Sequence, residues 1–357
     1  MESKAGGFIR NNFIVSGIIG YFKNHYGPMI GLLAIGILIQ SFQPMFFTIL
    51  NFVNILRQIS VYGVLALALS LIIMTGNIDL SIGSNVAASG CLVAVLYSQV
   101  NMPLWFACIC TTIVGGCIGL FNGFMVTHTI LPPFVITLAT QMTIRGLAYL
   151  FTRGYPVIVR DETFSKIGNG AIQFGEGVGF EIPYSVIVMF VLFIIFGILL
   201  SRTKFGRHVY ATGGNTEAAI HSGINVKTVR KLVYMFAGML AAVAGIILAS
   251  RMFSGQPTVG VGYEGEAIAA SVLGGIRFGG GYGSLGGTII GSFIMGVINN
   301  GLNMVKLDYY YQFIVKGVVI LLAVYFDSAK ETIQFKPWFL RGKKGGAQPE
   351  IDEGGDK

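Results

Sequence analysis

PYSVIVMFVLFIIFGILLS (183–201), RTKFGRHVYATGGNTEAAIHSGINVKTVRK (202–231) and KLVYMFAGMLAAVAGIILAS (231–250) follow one another along the chain. The first and third are each about 20 residues long and almost free of charge, the length that crosses a bilayer's hydrocarbon as a helix. The middle segment is polar and basic. Two spans joined by a long cationic loop make this a membrane protein, and the rest of the chain repeats the pattern. Comparable apolar runs lie at 28–47, 58–76, 81–98, 103–127, 130–152, 264–278, 283–301 and 309–326. The sequence therefore predicts an all-α polytopic membrane protein of about ten transmembrane helices, with the third and eighth short and rich in small residues.

Composition leaves little room for a soluble alternative. Charged residues make up 11% of the 357, against roughly 25% in soluble globular chains. Mean hydropathy is +0.71. Residues 1–27 lack a clean signal-peptide pattern. There Phe8, Ile9, Phe13, Val15, Ile18, Ile19 and Phe22 fall near helical spacing beside Lys4, Arg10 and Lys23, as in an interfacial helix. The expected organisation is a cytoplasmic or interfacial segment 1–27, a transmembrane domain 28–328 and a polar cytoplasmic tail 329–357.

Lys and Arg placement orients the spans. With both termini cytoplasmic, the inner segments hold 16 of the 24 Lys and Arg; the outer hold six, and Arg145 and Lys316 are intramembrane. The net charge of +8 is then explained by an anionic membrane surface, so membrane lipid rather than nucleic acid is the expected partner.

The loop 202–231 is much longer than the 2–8 residues that commonly join helices in a bundle. Asn215 or Thr216 can cap a short helix beginning near Glu217, Ala218 and Ala219, and Gly223 can close it as a C′ glycine. A solvated basic loop is the bland reading; a helix for docking a soluble partner is the functional one.

Fifty glycines are patterned. Gly115, Gly119 and Gly123 recur every four residues, as do Gly275, Gly279, Gly283, Gly287 and Gly291, a spacing that lets helices approach closely in lipid. Two stretches resist a continuous helix: TGNIDLS (75–81) and GGIRFGGGYGSLGG (274–287), since each glycine costs about 1 kcal/mol against alanine. Broken helices in corresponding halves of a transporter point to its path. Gly115-Gly116 and Arg145-Gly146 match Gly286-Gly287 and Lys316-Gly317 at a constant offset, which predicts an inverted internal repeat. Asp79 reads either as a pore or latch carboxylate or as a cap for the helix after Ser81. Arg145 and Lys316 are expected to snorkel toward the outer boundary.

No metal-ligand spacing links His25, His128, His208 and His221, and Cys91, Cys108, Cys110 and Cys117 sit in apolar runs. No metal site is expected. Without GxxxxGK[ST], a triad or a cofactor signature, the chain is not expected to be an enzyme.

The string FGRHVYATGGNTEAAIHSGINV (205–226) resembles the ATPase-docking loop of bacterial ABC sugar-import permeases of the ribose/galactose/xylose type. TGNIDLSIGS (75–84), VLGGIRFGGGYGSLGGTIIG (272–291) and NNGLNMVKLDYYYQFIVKGVVILLAVYFDS (299–328) resemble the same family in the same order. Asn77 departs from it where a second glycine is common, and the tail is longer. The resemblance implies a permease working as a homodimer or heterodimer, with ABC ATPase subunits below and an extracytoplasmic sugar-binding protein above. It places ATPase coupling on Gly213, Gly214, Asn215, Glu217, Ala218, Ala219, Ser222 and Gly223. ATP and Mg would then belong to the partner, with no cofactor in this chain, and the location would be the bacterial cytoplasmic membrane.

A binding protein is expected on 153–182. A monosaccharide path wants amides and aromatic faces, which nominates Asn77, Asp79, Asn85, Asn299, Asn300, Asn303 and Gln312. The rivals are a gradient-driven secondary transporter, a channel, or a structural scaffold. Asp79 is the only expected proton or sodium site for the first.

Overall fold

The computed structural model describes residues 29–174 and 180–334. Among the described residues there are thirteen helices: α1 (Met29–Phe42), α2 (Ile49–Met74), α3 (Ile82–Ser98), α4 (Leu104–His128), α5 (Pro133–Thr152), α6 (Glu162–Asn169), α7 (Tyr184–Arg202), α8 (Lys204–Gly214), α9 (Thr216–His221), α10 (Val226–Arg251), α11 (Tyr263–Leu273), α12 (Leu285–Met304) and α13 (Tyr309–Gln334). Six of them, α2, α4, α5, α7, α10 and α12, are long and apolar enough to cross a membrane; α1, α3 and Tyr310–Leu322 within α13 are shorter apolar pieces. A helix overlaps each of the ten apolar runs, yet α11 has only 11 residues. At 1.5 Å per residue it covers about half of the hydrocarbon thickness.

Local chemistry sets the ends. Thr48, Asn225 and Ser284 cap α2, α10 and α12 by accepting from Asn51, Thr228 and Gly287 amides, while Pro103, Pro132 and Pro183 immediately precede α4, α5 and α7. Helix α2 starts nine residues before the run expected at 58–76. Its polar Asn51 and Arg57 are tolerated because both are bonded within the protein.

The core is built on α2 and α10, whose buried residues run nearly their full length. Helix α10 packs on α3 and α4, and α2 packs on α11 and α12; α3 lies against α5 as α11 lies against α13. Helices α4, α5 and α7 present Ile113, Phe121, Leu138, Leu150, Ile194 and Ile198 outward, as a lipid-facing rim should.

At one end lie two short antiparallel ladders. There β1 (Val157–Ile158) pairs with β4 (Ser254–Gly255), and β2 (Ala171–Phe174) pairs with β3 (Phe180–Pro183), Ala171 opposite Pro183. The opposite end holds α8, α9 and the two glycine-containing stretches. These stretches are connections between helices rather than interruptions within one: 75–81 links α2 to α3, and 274–284 links α11 to α12. Consequently Gly275, Gly279 and Gly283 belong to no helix face, and the expected five-glycine stripe survives only at Gly287 and Gly291, which face the α11 backbone around Gly274 and Ala270. The segment 1–27 and the tail from 335 onward lie outside the described residues.

Candidate functional site

The loop 202–231 folds into two helices, α8 and α9, joined at Asn215. The Asn215 side chain accepts from the Ala218 amide at 2.9 Å, the capping geometry its sequence position suggested. Gly223 follows α9 at φ +80°, a conformation costly for any residue with a Cβ. Gly214, Asn215, Glu217, Ala218, Ser222 and Gly223 are exposed and form the tip of this face; Ala219 is buried and seats α9 instead.

Gly213 ties this tip to the helix connections. It packs tightly on both: a Cβ there would overlap the Met74 carbonyl and press on the Gly281 amide. That amide in turn donates to the Met74 carbonyl oxygen at 3.0 Å. The Tyr210 hydroxyl donates to Gly283 O at 2.9 Å, and burial raises the Tyr210 phenol above its ordinary pKa. From α10, the Tyr234 hydroxyl donates to Ile78 O at 2.9 Å and Arg230 to Thr216 Oγ1 at 3.2 Å. The tip, the end of α2 and the connection before α12 are thus in direct contact.

The nominated path residues are divided by the structure. Asn77 folds onto its own turn, donating to Thr75 Oγ1 at 3.0 Å. Asp79 accepts from the Ser81 amide (2.8 Å) and hydroxyl (2.6 Å), while Asn122 of α4 donates to its other oxygen. It therefore closes a turn before α3 and does not cap the helix, whose N-cap residue is Ser81. Asn85 bridges α3 to Gly115 O and Gly238 O. Asn300 exchanges two 3.0 Å bonds with Asn51. These four are packing groups in this conformation.

Asn299 and Asn303 instead line a cavity of about 330 Å³ near the β-ladder end, walled also by Gln58, Tyr62, Asn169, Arg251, Tyr263 and Lys316. Gln312 sits beside it, donating to Asn303 Oδ1 at 3.1 Å. Behind the wall is Glu266, 4% exposed, which accepts from Lys316 Nζ at 2.6 Å and from Asn299 Nδ2 at 2.7 Å. The Asn299 Oδ1 has no partner, a deficit that costs about 1–3 kcal/mol when a polar atom is buried.

A family model described as the permease component of a branched-chain amino acid transport system matches residues 51–324. The ribose import permease protein of Bacillus subtilis (strain 168) is 43% identical over 305 residues, covering 85% of this chain and 92% of that protein. The ribose import permease protein of Escherichia coli (strain K12) is 40% identical, with 85% and 93% covered. The L-arabinose transport system permease protein of the same strain is 35% identical, with 87% and 93% covered. The chain belongs to this permease-component family. No solved structure matches it.

In this permease two expectations about intramembrane charge are corrected. Lys316 does not snorkel, because burial of Glu266 pulls its ammonium inward. Nor does Arg145, whose guanidinium donates to the carbonyls of Pro257 and Val259. Asp79 is not the sole acid of the bundle either: Glu266 is as well buried, and Glu264 accepts from Gln141. The signal for both lies in GYEGEAIAAS (262–271), where two acids open a small-residue helix; carboxylates favour a helix N-terminus. At the β-ladder end, Arg57 of α2 bonds Asn169 O and Glu181.

Proposed function

We propose that the chain is the membrane-spanning permease subunit of an ATP-driven, binding-protein-dependent importer, moving a monosaccharide across the bacterial cytoplasmic membrane by alternating access. The observation that carries this reading is the junction of Gly213, Met74 and Gly281. It couples an exposed, capped tip, too elaborate for a tether, to the ends of two membrane helices.

In this reading the α8–α9 face is cytoplasmic and both termini share that side. An ABC ATPase holding ATP and Mg docks on the tip from Gly213 to Gly223. Its closure pushes α9, and α8 carries the movement to α2 and α12. A sugar-loaded binding protein docks on the opposite end through 153–182, within which Glu181 pairs with Arg57 at 3.2 Å. A second permease, identical or not, completes the path. Ten membrane-embedded segments with an inverted repeat suit the packing: α2, α3, α4 and α5 correspond to α10, α11, α12 and α13. The first set runs opposite to the second, because α2 and α4 end at the face where α10 and α12 begin. The pentose relatives support a pentose as the first sugar to assay.

A second reading, a gradient-driven transporter, draws on buried Glu266 as a proton or ion site. The Lys316 partner weakens it, because an ion pair at 2.6 Å already occupies the carboxylate. Vesicle uptake decides: survival in an uncoupler with loss on ATP depletion supports the importer, and the reverse result replaces it with the gradient-driven carrier.

A further inference from the structure

We propose that the cavity walled by Tyr62, Arg251, Tyr263, Asn299, Asn303 and Lys316 is an outward-facing subsite for a single neutral polyol. The inference rests on the importer reading above and gives its substrate class a place. About 330 Å³ is at the small end of ligand cavities, which run from about 300 to 1,000 Å³.

The chemistry of the wall selects the ligand. Asn299 lines the cavity with its Nδ2 held by Glu266 Oε2 at 2.7 Å, so the amide cannot turn, and its Oδ1 is buried without a partner. An acceptor of that kind wants a hydroxyl proton; a carboxylate or phosphate ligand would bring it only another lone pair. Donors stand beside it. Lys316 spends one of its three N–H groups on Glu266, and Arg251 Nη1 is bonded to Arg57 O at 3.0 Å, leaving further N–H capacity on both groups. Glu266 neutralises Lys316, and the cation left in the wall is the Arg251 guanidinium, already bonded to the Arg57 carbonyl. The Tyr62 and Tyr263 rings meet edge to face at 5.2 Å and supply an aromatic wall. Mixed donors and acceptors with an aromatic face fit a sugar ring, which carries both functions on every hydroxyl.

The test is cysteine protection in the assembled transporter. Cys108, Cys110 and Cys117 are replaced by alanine, buried Cys91 is kept, and Asn303→Cys is introduced; Tyr155→Cys on the same end, exposed and outside the cavity, is the control. Labelling by a membrane-impermeant maleimide is followed with D-ribose, L-arabinose, D-xylose or glucuronate at up to about 50 mM, well above a millimolar Kd. At least one neutral sugar should slow labelling at Asn303→Cys severalfold, with no effect at Tyr155→Cys, and adding Asn299→Leu should raise the half-protecting concentration about tenfold. Absence of protection by all three neutral sugars overturns the subsite. Equal protection at both positions, or by glucuronate as well as by the sugars, also overturns it. Protection without ATP-dependent uptake would sink the importer reading and leave the subsite standing.

Discussion

The amide of Gly281, in the connection before α12, donates to the carbonyl of Met74 at the end of α2, 3.0 Å away. Gly213 of α8 leaves no space for a methyl group against either. Two helix ends far apart in sequence are therefore clamped by one bond, and α8 rests on the clamp. Gly213→Ala should push α8 off this seat. Overpacking of this sort costs about 1–3 kcal/mol, small enough for the protein to reach the membrane. Uptake should fall at least tenfold while a purified ATPase partner still hydrolyses ATP. Wild-type uptake in this variant would remove the clamp from the coupling route.

At the tip itself, Glu217→Lys reverses an exposed charge at the start of α9, and Gly223→Trp forces a bulky side chain into φ +80°. The left-handed conformation costs about 1–2 kcal/mol for a residue with a Cβ, a local penalty that spares the buried bundle. Each variant should abolish uptake and weaken co-purification of the ATPase with an unchanged membrane level. Normal uptake in both would end the assignment of the tip as the lever.

Much of this was readable from residues alone. Length and composition place a helix in each of ten apolar stretches, because runs of about 20 apolar residues have few other uses, whereas α6 and α8 carry no such signal; the Asn215 cap and Gly223 are legible because capping needs few neighbours. The polar cavity was only half legible. Asn299 and Asn303 were candidates, but so were Asn77, Asn85 and Asn300, since an amide that bridges backbones and one that faces a cavity look the same in one dimension. Glu266 and Arg57 escaped because their partners, Lys316 and Glu181, are 50 and 124 residues away. Snorkelling was the wrong inference for Lys316 for the same reason: its depth is set by a tertiary partner.

On the opposite end, Asp161 caps α6 by accepting from the Phe164 amide at 2.9 Å. That bond, and then the Tyr97 hydroxyl, holds its carboxyl below the usual range. A depressed carboxyl contributes order above its unfolded pKa and loses it as pH falls through the lower folded value. The 161–169 segment should therefore keep its structure through mildly acidic conditions and loosen only below the ordinary aspartate range, near pH 4. Limited proteolysis against pH would record this. For Asp161→Asn the carboxylate titration is gone, so its proteolysis profile should lose the acid step. An identical acid step in that variant would assign the step to other groups.

The Lys316–Glu266 pair should behave asymmetrically. Lys316→Met leaves the Glu266 carboxylate, whose side chain is 5% exposed, with Asn299 as its remaining donor. Removing one partner of a buried pair costs about 3–5 kcal/mol. Glu266→Gln leaves a lysine whose side chain is 20% exposed and can reach water, so its loss should be the smaller of the two. The double variant Glu266→Gln with Lys316→Met should recover most of the stability lost by Lys316→Met, because no unpaired charge remains. Thermal unfolding of the four proteins in detergent gives the coupling directly. Additive losses would mean that the 2.6 Å contact contributes nothing as a pair, and that α11 and α13 are held together by apolar packing alone.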